Sequence, residues 1–381
     1  MTKAKVLLRW HIDFDTINRR NYSIYNYMEN NWNFTPQTSS SVSTDTISEL
    51  AFKIQEKQLI NLFKSDISNI NNAASVDQSM IYYPEFKPIK MSDVSILHQY
   101  FLKKSSCRSC DFSIGGILMW ADYFDYKYCF YDGTLLIYGY DKESETYLLY
   151  HPLDPNFPDR LAVDIYIKAI GKTHKNIQYI SFEEKSFEDD QLTDNSRYID
   201  KWKEYLYPID RFLHFSGKKM EKKRNHLNYF YNNYENISVA ILDETNLSDA
   251  VEFTKSFEIS HNDNVLATYE NEQTVKVLQE YGKYPFLGIC IKLGDSIKGI
   301  SFGEKIGDTF FIHVEKGDIE YRGIYQALAS GLSQLVKEKY PDVVYLNREE
   351  DMGDDNLRQS KLSYHPSIIL HKKSETATLS N

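Results

Sequence analysis

Cysteine is scarce, no apolar run is long, and no leader stands out; each absence narrows the reading. The four cysteines of this 381-residue chain are Cys107, Cys110, Cys129 and Cys290, too few for a disulfide scaffold. Cys107 and Cys110 make one C-x-x-C pair. No second pair completes a finger, and Cys129 and Cys290 stand at unsuitable spacing, so no metal and no redox chemistry is expected. Nothing approaches the ~18 apolar residues of a membrane span, and Val6-Leu7-Leu8 is broken by Arg9 and His11 before it can act as a leader core. A cytoplasmic chain in reducing surroundings is expected, with the sequons at Asn21, Asn236 and Asn246 accidental. At most a peripheral membrane encounter is expected, because no basic amphipathic helix with aromatic anchors is evident. Gly171-Lys172-Thr173 copies the end of a P-loop, but Tyr166 occupies the required upstream glycine position. Gly115-Gly116 is a lone pair, and no Gly-x-Ser-x-Gly elbow occurs. The net charge of -10 argues against nucleic-acid binding by the whole surface and leaves room for a local basic patch.

What the chain has is aromatic and apolar residue in globular proportion, 14% and 42%, enough for two cores in a chain of this length. Residues 1–79 read as a polar, partly helical extension: Thr38 to Thr44 is a polar linker, and Ile47, Leu50, Ile54, Leu59, Leu62 and Phe63 have helical spacing. A first domain is expected over 80–205, a second over 206–373, and a tail over 374–381. In the first, Ser92 is placed to cap a helix carrying Val94, Leu97, Phe101 and Leu102. Asp132-Gly133 joins the strands Tyr126–Tyr131 and Leu135–Tyr140 in a hairpin. A strand at Tyr147–Tyr150, a helix from Leu161 to Ala169 ended by Gly171, and a strand at Ile177–Phe182 follow. In the second, a strand at Ser238–Leu242 and helices at Leu247–Phe257 and Thr274–Tyr281 precede three meander strands, Phe286–Leu293, Ile297–Phe302 and Thr309–Glu315. A helix from Ile324 to Val336 and a strand at Val343–Leu346 complete the order β-β-β-α-β.

That order resembles the core of the GNAT acyltransferase fold. Several motifs narrow the likeness: Ser216-Gly217-Lys218-Lys219, Lys223-Arg224-Asn225-His226-Leu227-Asn228, Phe311-Ile312-His313-Val314-Glu315-Lys316, Arg322-Gly323-Ile324-Tyr325-Gln326-Ala327, Cys110-Asp111-Phe112-Ser113, and the charged run from Tyr345 to Pro366. Together they look like the DUF2156 family, similar to the soluble C-terminal domain of bacterial phosphatidylglycerol lysyltransferases, over roughly residues 80 to 373. The resemblance implies a mixed α/β fold of tandem GNAT-like domains; the N-terminal extension, expected to be partly disordered from its polar composition, lies outside it. It also implies an acyl or aminoacyl transferase with aminoacyl-tRNA or acyl-CoA as co-substrate and an amine, hydroxyl or lipid acceptor.

The charged run Asn347, Arg348, Glu349, Glu350 and Asp351 leaves the end of an apolar strand, which suits the lining of a cleft more than a core; Arg358 and Lys361 are expected to face the same cleft. Lys218, Lys219, Lys222, Lys223 and Arg224 crowd into seven residues behind Gly217, next to the neutral donors Asn225, His226 and Asn228. Such a cluster at a helix start suits phosphate or a tRNA acceptor end; an ordinary basic helix face is the competing reading. Arg322 and Gly323 fall where GNAT enzymes hold the pyrophosphate of coenzyme A. Tyr325 stands where that pattern has a small residue, and its ring should obstruct the backbone amides. Glu315 is the candidate base, with His313 expected on the same face by strand alternation. Tyr364 and His365 are candidate acids. A structural Glu315, paired with Arg322 or Arg348, competes with the catalytic one. Asn356 is expected in a left-handed turn. A GNAT N-acyltransferase using acyl-CoA and a non-catalytic module for an anionic ligand remain as alternatives.

Overall fold

The computed structural model describes residues 84–104, 107–171, 176–190, 198–257 and 265–378; the helix expected between Ile47 and Phe63 lies outside them. The short strand β1 (Lys87–Pro88) and helices α1 (Val94–Lys103) and α2 (Ile114–Met119) precede the strands β2 (Lys127–Tyr131), β3 (Thr134–Asp141) and β4 (Thr146–Tyr150), then α3 (Asp159–Ile170) and β5 (Ile177–Ser186). The turn α4 (Phe187–Asp190), β6 (Glu204–Pro208), α5 (Asp210–His214) and α6 (Glu221–Asn233) lead to β7 (Ile237–Ile241), α7 (Leu247–Ser256) and α8 (Val265–Gln279). The chain continues with β8 (Leu287–Leu293), β9 (Ser296–Ile306), β10 (Thr309–Gly317), α9 (Ile324–Lys339), β11 (Tyr345–Glu350), α10 (Asp355–Leu362) and β12 (Ile368–Thr376).

Among the described residues the strands form one twelve-stranded sheet, β1-β2-β3-β4-β5-β12-β6-β11-β10-β9-β8-β7. Each half is an antiparallel meander closed by a parallel crossover, β4-α3-β5 in one and β10-α9-β11 in the other. The halves exchange strands at the centre: β6 pairs with β11, and β12 lies between β5 and β6. Helices cover both faces, as a sheet buried on both sides requires. On one face, Leu328, Leu332 and Val336 of α9 pack with Phe212, Phe230, Phe310 and Ile312. On the other, Leu97, Phe101 and Ile117 of α1 and α2 pack with Tyr128, Leu148 and Phe311. No helix of the described residues is long and apolar enough to cross a membrane.

The hairpin turns where expected, Asp132 and Gly133 both taking positive φ, 49° and 74°. Several elements depart from expectation. Ser92 lies inside a 3-10 turn, and the Asp93 carboxylate accepts the Lys90 N–H at 3.0 Å instead. Helix α8 starts well before Thr274, because Tyr269 packs on Trp120 and Tyr123 at 5.5 and 5.3 Å and Glu270 binds Lys316 at 2.5 Å; tertiary contacts hold polar turns helical. Strand β5 runs past Phe182 to Ser186 because β12 pairs along it. Residues 374–376 belong to β12, and Asn356 is helical within α10, the left-handed residue there being Gly353. Strands β6 and β12 and helices α5 and α10 were not expected from the sequence.

Candidate active site

Strands β10 and β11 stay paired only from Thr309–Tyr345 to Phe311–Asn347. Beyond that point each keeps its outer neighbour and loses the other, so the sheet splits between Ile312–Gly317 and Arg348–Glu350. Each strand carries a device for the split. On β10, Ile312 pairs with Gly303 and Val314 with Phe302, leaving His313 as an extra, bulged residue. On β11 the register shifts between Asn347 and Glu350, where Glu349 takes φ 57°. Asn347 fixes this shape: its amide donates to Glu204 Oε2 at 2.6 Å and to the Arg108 carbonyl at 2.8 Å, and its Oδ1 accepts the Glu349 N–H at 2.7 Å.

The bulge overturns one expectation. Glu315 and His313 lie on opposite faces of the sheet, because the extra residue resets the alternation between them. Glu315 points toward the α9 side, where Arg348 Nη2 donates to its Oε1 at 2.5 Å. The Arg348 guanidinium stacks 4.6 Å from the Tyr364 ring, whose hydroxyl accepts from Gln326 Nε2 at 2.7 Å. Lys223 of α6 also stands over that ring, its Nζ 3.8 Å from the centroid and 2.6 Å from Ser363 Oγ. Burial, then the charges of Arg348 and Lys222, push the Lys223 ammonium down to about 8. Among the described residues, two atoms here are buried without a partner, Glu315 Oε2 and Arg348 Nη1. A buried orphan in a native fold calls for a ligand or water.

On the opposite face His313 is clamped between two carboxylates, Nδ1 with Glu349 Oε1 at 2.7 Å and Nε2 with Glu304 Oε1 at 3.0 Å. Burial opposes its charge, but Glu349 and Glu304 outweigh it and hold the imidazolium up to about 9. Gly115, near the start of α2, donates its N–H to Glu304 Oε1 at 2.8 Å. A Cβ there would come within 2.3 Å of the His313 ring, so only glycine fits. Farther along this face, Lys372 of β12 is buried against Asp111 Oδ2 at 2.6 Å, Glu204 Oε1 at 3.5 Å and Glu350 Oε1. Cys110, Asp111 and Glu350 offer ligand atoms within 4.8 Å of one another, a group able to hold a metal ion. Lys372 already neutralises two of the three.

Other expected site residues serve the framework. Asp351 is buried, taking Arg358 Nε at 2.8 Å, the Tyr205 hydroxyl at 2.5 Å and the Gly353 N–H at 2.9 Å. Asp351 and Arg358 thus satisfy one another rather than lining the cleft. The Lys361 ammonium is buried on the carbonyls of Arg348 and, at 2.5 Å, Glu350, which fixes the diverging end of β11. Arg224 closes the turn before α6 by donating to the carbonyls of Phe215 at 2.6 Å and Gly217 at 3.1 Å. His365 sits at φ 55°, where its carbonyl accepts from Arg211. Gly217 does open the α6 segment, through a 3-10 turn at Lys218–Met220. Lys218, Lys219, Lys222 and Asn225 are exposed along it. Arg322 stacks on Tyr229 at 4.6 Å, so the rivalry for Glu315 resolves to Arg348. Gly323 takes φ 96° as the N-cap of α9, and a Cβ there would lie 2.3 Å from the His226 carbonyl. Helix α6 therefore covers the amino end of α9. Tyr325, in the first turn of α9, is half-buried near the Gly317 backbone.

Sequence reasoning passed over Glu304, Glu204 and Lys372, and took Glu350 only as part of the charged run. A signal existed for two of them. Glu304 shares the parity of Phe302 and Ile306 in β9, and Lys372 that of Leu370 in β12; both are charged residues on an apolar stripe.

Two antiparallel meanders, each ended by a β-α-β crossover and joined by exchanged strands, define a tandem GNAT-like α/β protein. A crystal structure of a conserved protein of unknown function from Bacteroides thetaiotaomicron VPI-5482 has TM-score 0.66 at 23% identity, over 77% of this chain and 99% of that one. The structure of L-PGS from Bacillus licheniformis has TM-score 0.51 at 13% identity, over 78% of this chain and 94% of that one. An uncharacterised protein of Mycoplasmoides gallisepticum is 29% identical over 173 residues, 44% of this chain and 54% of that protein; the chain spans about half the length of this curated relative. The family model described as "Phosphatidylglycerol lysyltransferase, C-terminal" matches residues 104–372, and the chain belongs to that family.

Proposed function

We propose that this chain moves an aminoacyl group from an aminoacyl-tRNA to an amine or hydroxyl acceptor at the β10/β11 split. The observation that carries the reading is the Glu315–Arg348 pair across the split, with one buried atom of each left without a partner. An acyl transfer needs a base for the acceptor and a donor for the carbonyl oxygen. Glu315 Oε2 is free to accept the acceptor's proton, and Arg348 Nη1 to donate to the carbonyl oxygen as it becomes an oxyanion. The acceptor's N or O bonds to the carbonyl carbon, the ester C–O bond to the ribose breaks, and the proton passes to the ribose oxygen from Glu315 or the Tyr364 hydroxyl. His365 is the other candidate acid. His313, on the opposite face, is assigned to holding Glu349 rather than to proton transfer.

Two further features favour a tRNA donor over coenzyme A. Among the described residues Lys218, Lys219 and Lys222 are exposed and in no ion pair, so their charge is available to phosphates; Lys223, Arg224, Asn225 and His226 flank them. The amino end of α9 is covered at Gly323 by α6, whose His226 carbonyl would lie 2.3 Å from a Cβ there, which crowds the approach of a pyrophosphate to its amides. The family description names a lysyl cargo and a phosphatidylglycerol acceptor, which makes a lipid hydroxyl one acceptor to try. The test is binding of aminoacyl-tRNA and of acetyl-CoA across a salt series. Salt-steep tRNA binding that is lost in the Lys218→Ala, Lys219→Ala, Lys222→Ala triple variant is expected. Coenzyme A binding alone would instead make the chain an acyl-CoA N-acyltransferase, and anion binding with no turnover would make it a non-catalytic module.

A further inference from the structure

Behind the split, on the His313 face, lies a cavity of about 30 Å3 that no step above uses. Its walls are aromatic: Trp120, Phe124, Tyr126, Tyr150 and Trp202. The rings brace one another, Phe124 on Tyr126 at 5.5 Å and on Trp202 at 6.4 Å, and the Tyr126 and Tyr150 hydroxyls are 3.1 Å apart. The charged lining is Asp111, Glu349, Glu350 and Lys372. Lys372 does not exhaust these carboxylates. Every bond of the Asp111 carboxylate falls on Oδ2, from Ser109 and Lys372. Glu349 is engaged only through Oε1, by His313, and Glu350 only through Oε1, by Lys372. Among the described residues, Asp111 Oδ1, Glu349 Oε2 and Glu350 Oε2 are therefore three acceptors without a donor, on residues that line one ring-walled cavity. Glu349 is held there at φ 57°, a backbone state that a side chain disfavours and that persists where the surroundings impose it.

We propose that this cavity binds the primary ammonium head of a small organic amine, at a site separate from the transfer centre and independent of the reading given above. Free carboxylate oxygens and ring faces together suit an organic cation: the oxygens take its N–H groups and the rings its charge and first methylenes. The volume suits one small head, about the room of one or two waters, and excludes a bulky trimethylammonium. A divalent metal fits less well. It would set two positive charges, against the ammonium's one, beside Lys372, which sits 2.6 Å from Asp111. The groups facing Glu350 are Cys110 and Asp111 from the turn before α2, Tyr126 and Tyr150, Glu204 of β6, Glu349 beside it and Lys372 of β12. Burial, with Asp111 and Glu204 added, raises the Glu350 carboxyl against the pull of Lys372. An incoming ammonium favours its ionised form, so binding should strengthen as pH rises through about 8.

The test is titration calorimetry of the full chain with 1,5-diaminopentane, 1,5-pentanediol and choline. The diamine should bind one-to-one, with the diol and choline at least about ten-fold weaker, the effect of losing one charge-assisted hydrogen bond. Asp111→Asn, checked for folding by circular dichroism, should weaken diamine binding by a similar factor, which separates the cavity from general attraction to an acidic surface. Equal binding of diol and diamine to the wild-type chain, no saturable diamine binding, or an Asp111→Asn variant that is folded and binds normally would each overturn the proposal. The first two outcomes need no variant. Because the readout is binding, failure of the tRNA experiment leaves it intact.

Discussion

Replacing Lys372 by methionine keeps the length of the buried side chain and removes its charge. In the wild-type chain that ammonium lies 2.6 Å from Asp111, 3.5 Å from Glu204 and in contact with Glu350. The substitution leaves these carboxylates facing one another in a protein interior. Breaking a buried ion pair by removing one partner destabilises by about 3–5 kcal/mol, a large share of the roughly 5–15 kcal/mol that holds a typical domain folded. For a unit of this size the melting temperature should fall by roughly 6–10 °C. The effect should also depend on pH. Lys372 is raised well above its ordinary value, so its own contribution is complete at neutral pH and below. In the variant the carboxylates relieve their repulsion by taking up protons, so the gap from wild type should narrow as pH falls from 7.5 to 5. Urea unfolding at both pH values gives the measurement, and adding Glu350→Gln should recover part of the loss at pH 7.5. A loss below about 1 kcal/mol, or one equally large at pH 5, would refute the reasoning that this cation holds the centre of the sheet together.

His313 gives a pH effect of the opposite sense. Its folded value is raised to about 9, so its contribution to stability is complete below the ordinary histidine range and is lost as pH rises through about 9. Nitrogen-15 spectra should show both ring nitrogens protonated at pH 7.5, and His313→Gln should flatten the alkaline fall in stability; a neutral ring at pH 7.5 would contradict the double carboxylate clamp. Gly115→Ala should destabilise by about 1–3 kcal/mol, because its methyl would meet the His313 ring at 2.3 Å. A chemical melt indistinguishable from wild type would show that the ring has room to move.

The fold was legible wherever a local rule was left undisturbed. Strands β8 to β10, helix α9 and strand β11 follow from apolar alternation, Gly-Asp turns and a helical stripe at Leu328, Leu332 and Val336. Strand β12 was not legible. After Leu370 it reads His371-Lys372-Lys373-Ser374, the pattern of a solvated end, yet Lys372 is only 2% exposed because Asp111, Glu204 and Glu350 arrive from other parts of the chain to meet it. The site divides in the same way. The pairing of Glu315 with Arg348 was within reach of the sequence as one of two options, since both lie at strand ends known to be adjacent. The side of the sheet taken by His313 was not, because one bulged residue inverts the alternation and nothing local announces the bulge. Asp351, Arg358 and Lys361 looked like cleft residues because they are charged. Their carbonyl and carboxylate partners, which make them framework, become visible only in three dimensions.

The central strand exchange has a consequence for how the chain is made. The register of β12 on β5 runs from Ile368 opposite Ser186 to Thr376 opposite Gln178. When β5 leaves the ribosome, the neighbour that will cover its far edge is still roughly 180 residues from being synthesised, a wait of roughly 10–40 s at ordinary elongation rates. Throughout that interval the nascent first half carries a ten-residue strand with an open row of backbone donors and acceptors, the kind of template on which a second nascent chain can add. Completion of the sheet is thus deferred until Ile368–Thr376 have been made. A stop codon shortly before Ile368 would leave two nearly finished halves with no shared strand between them.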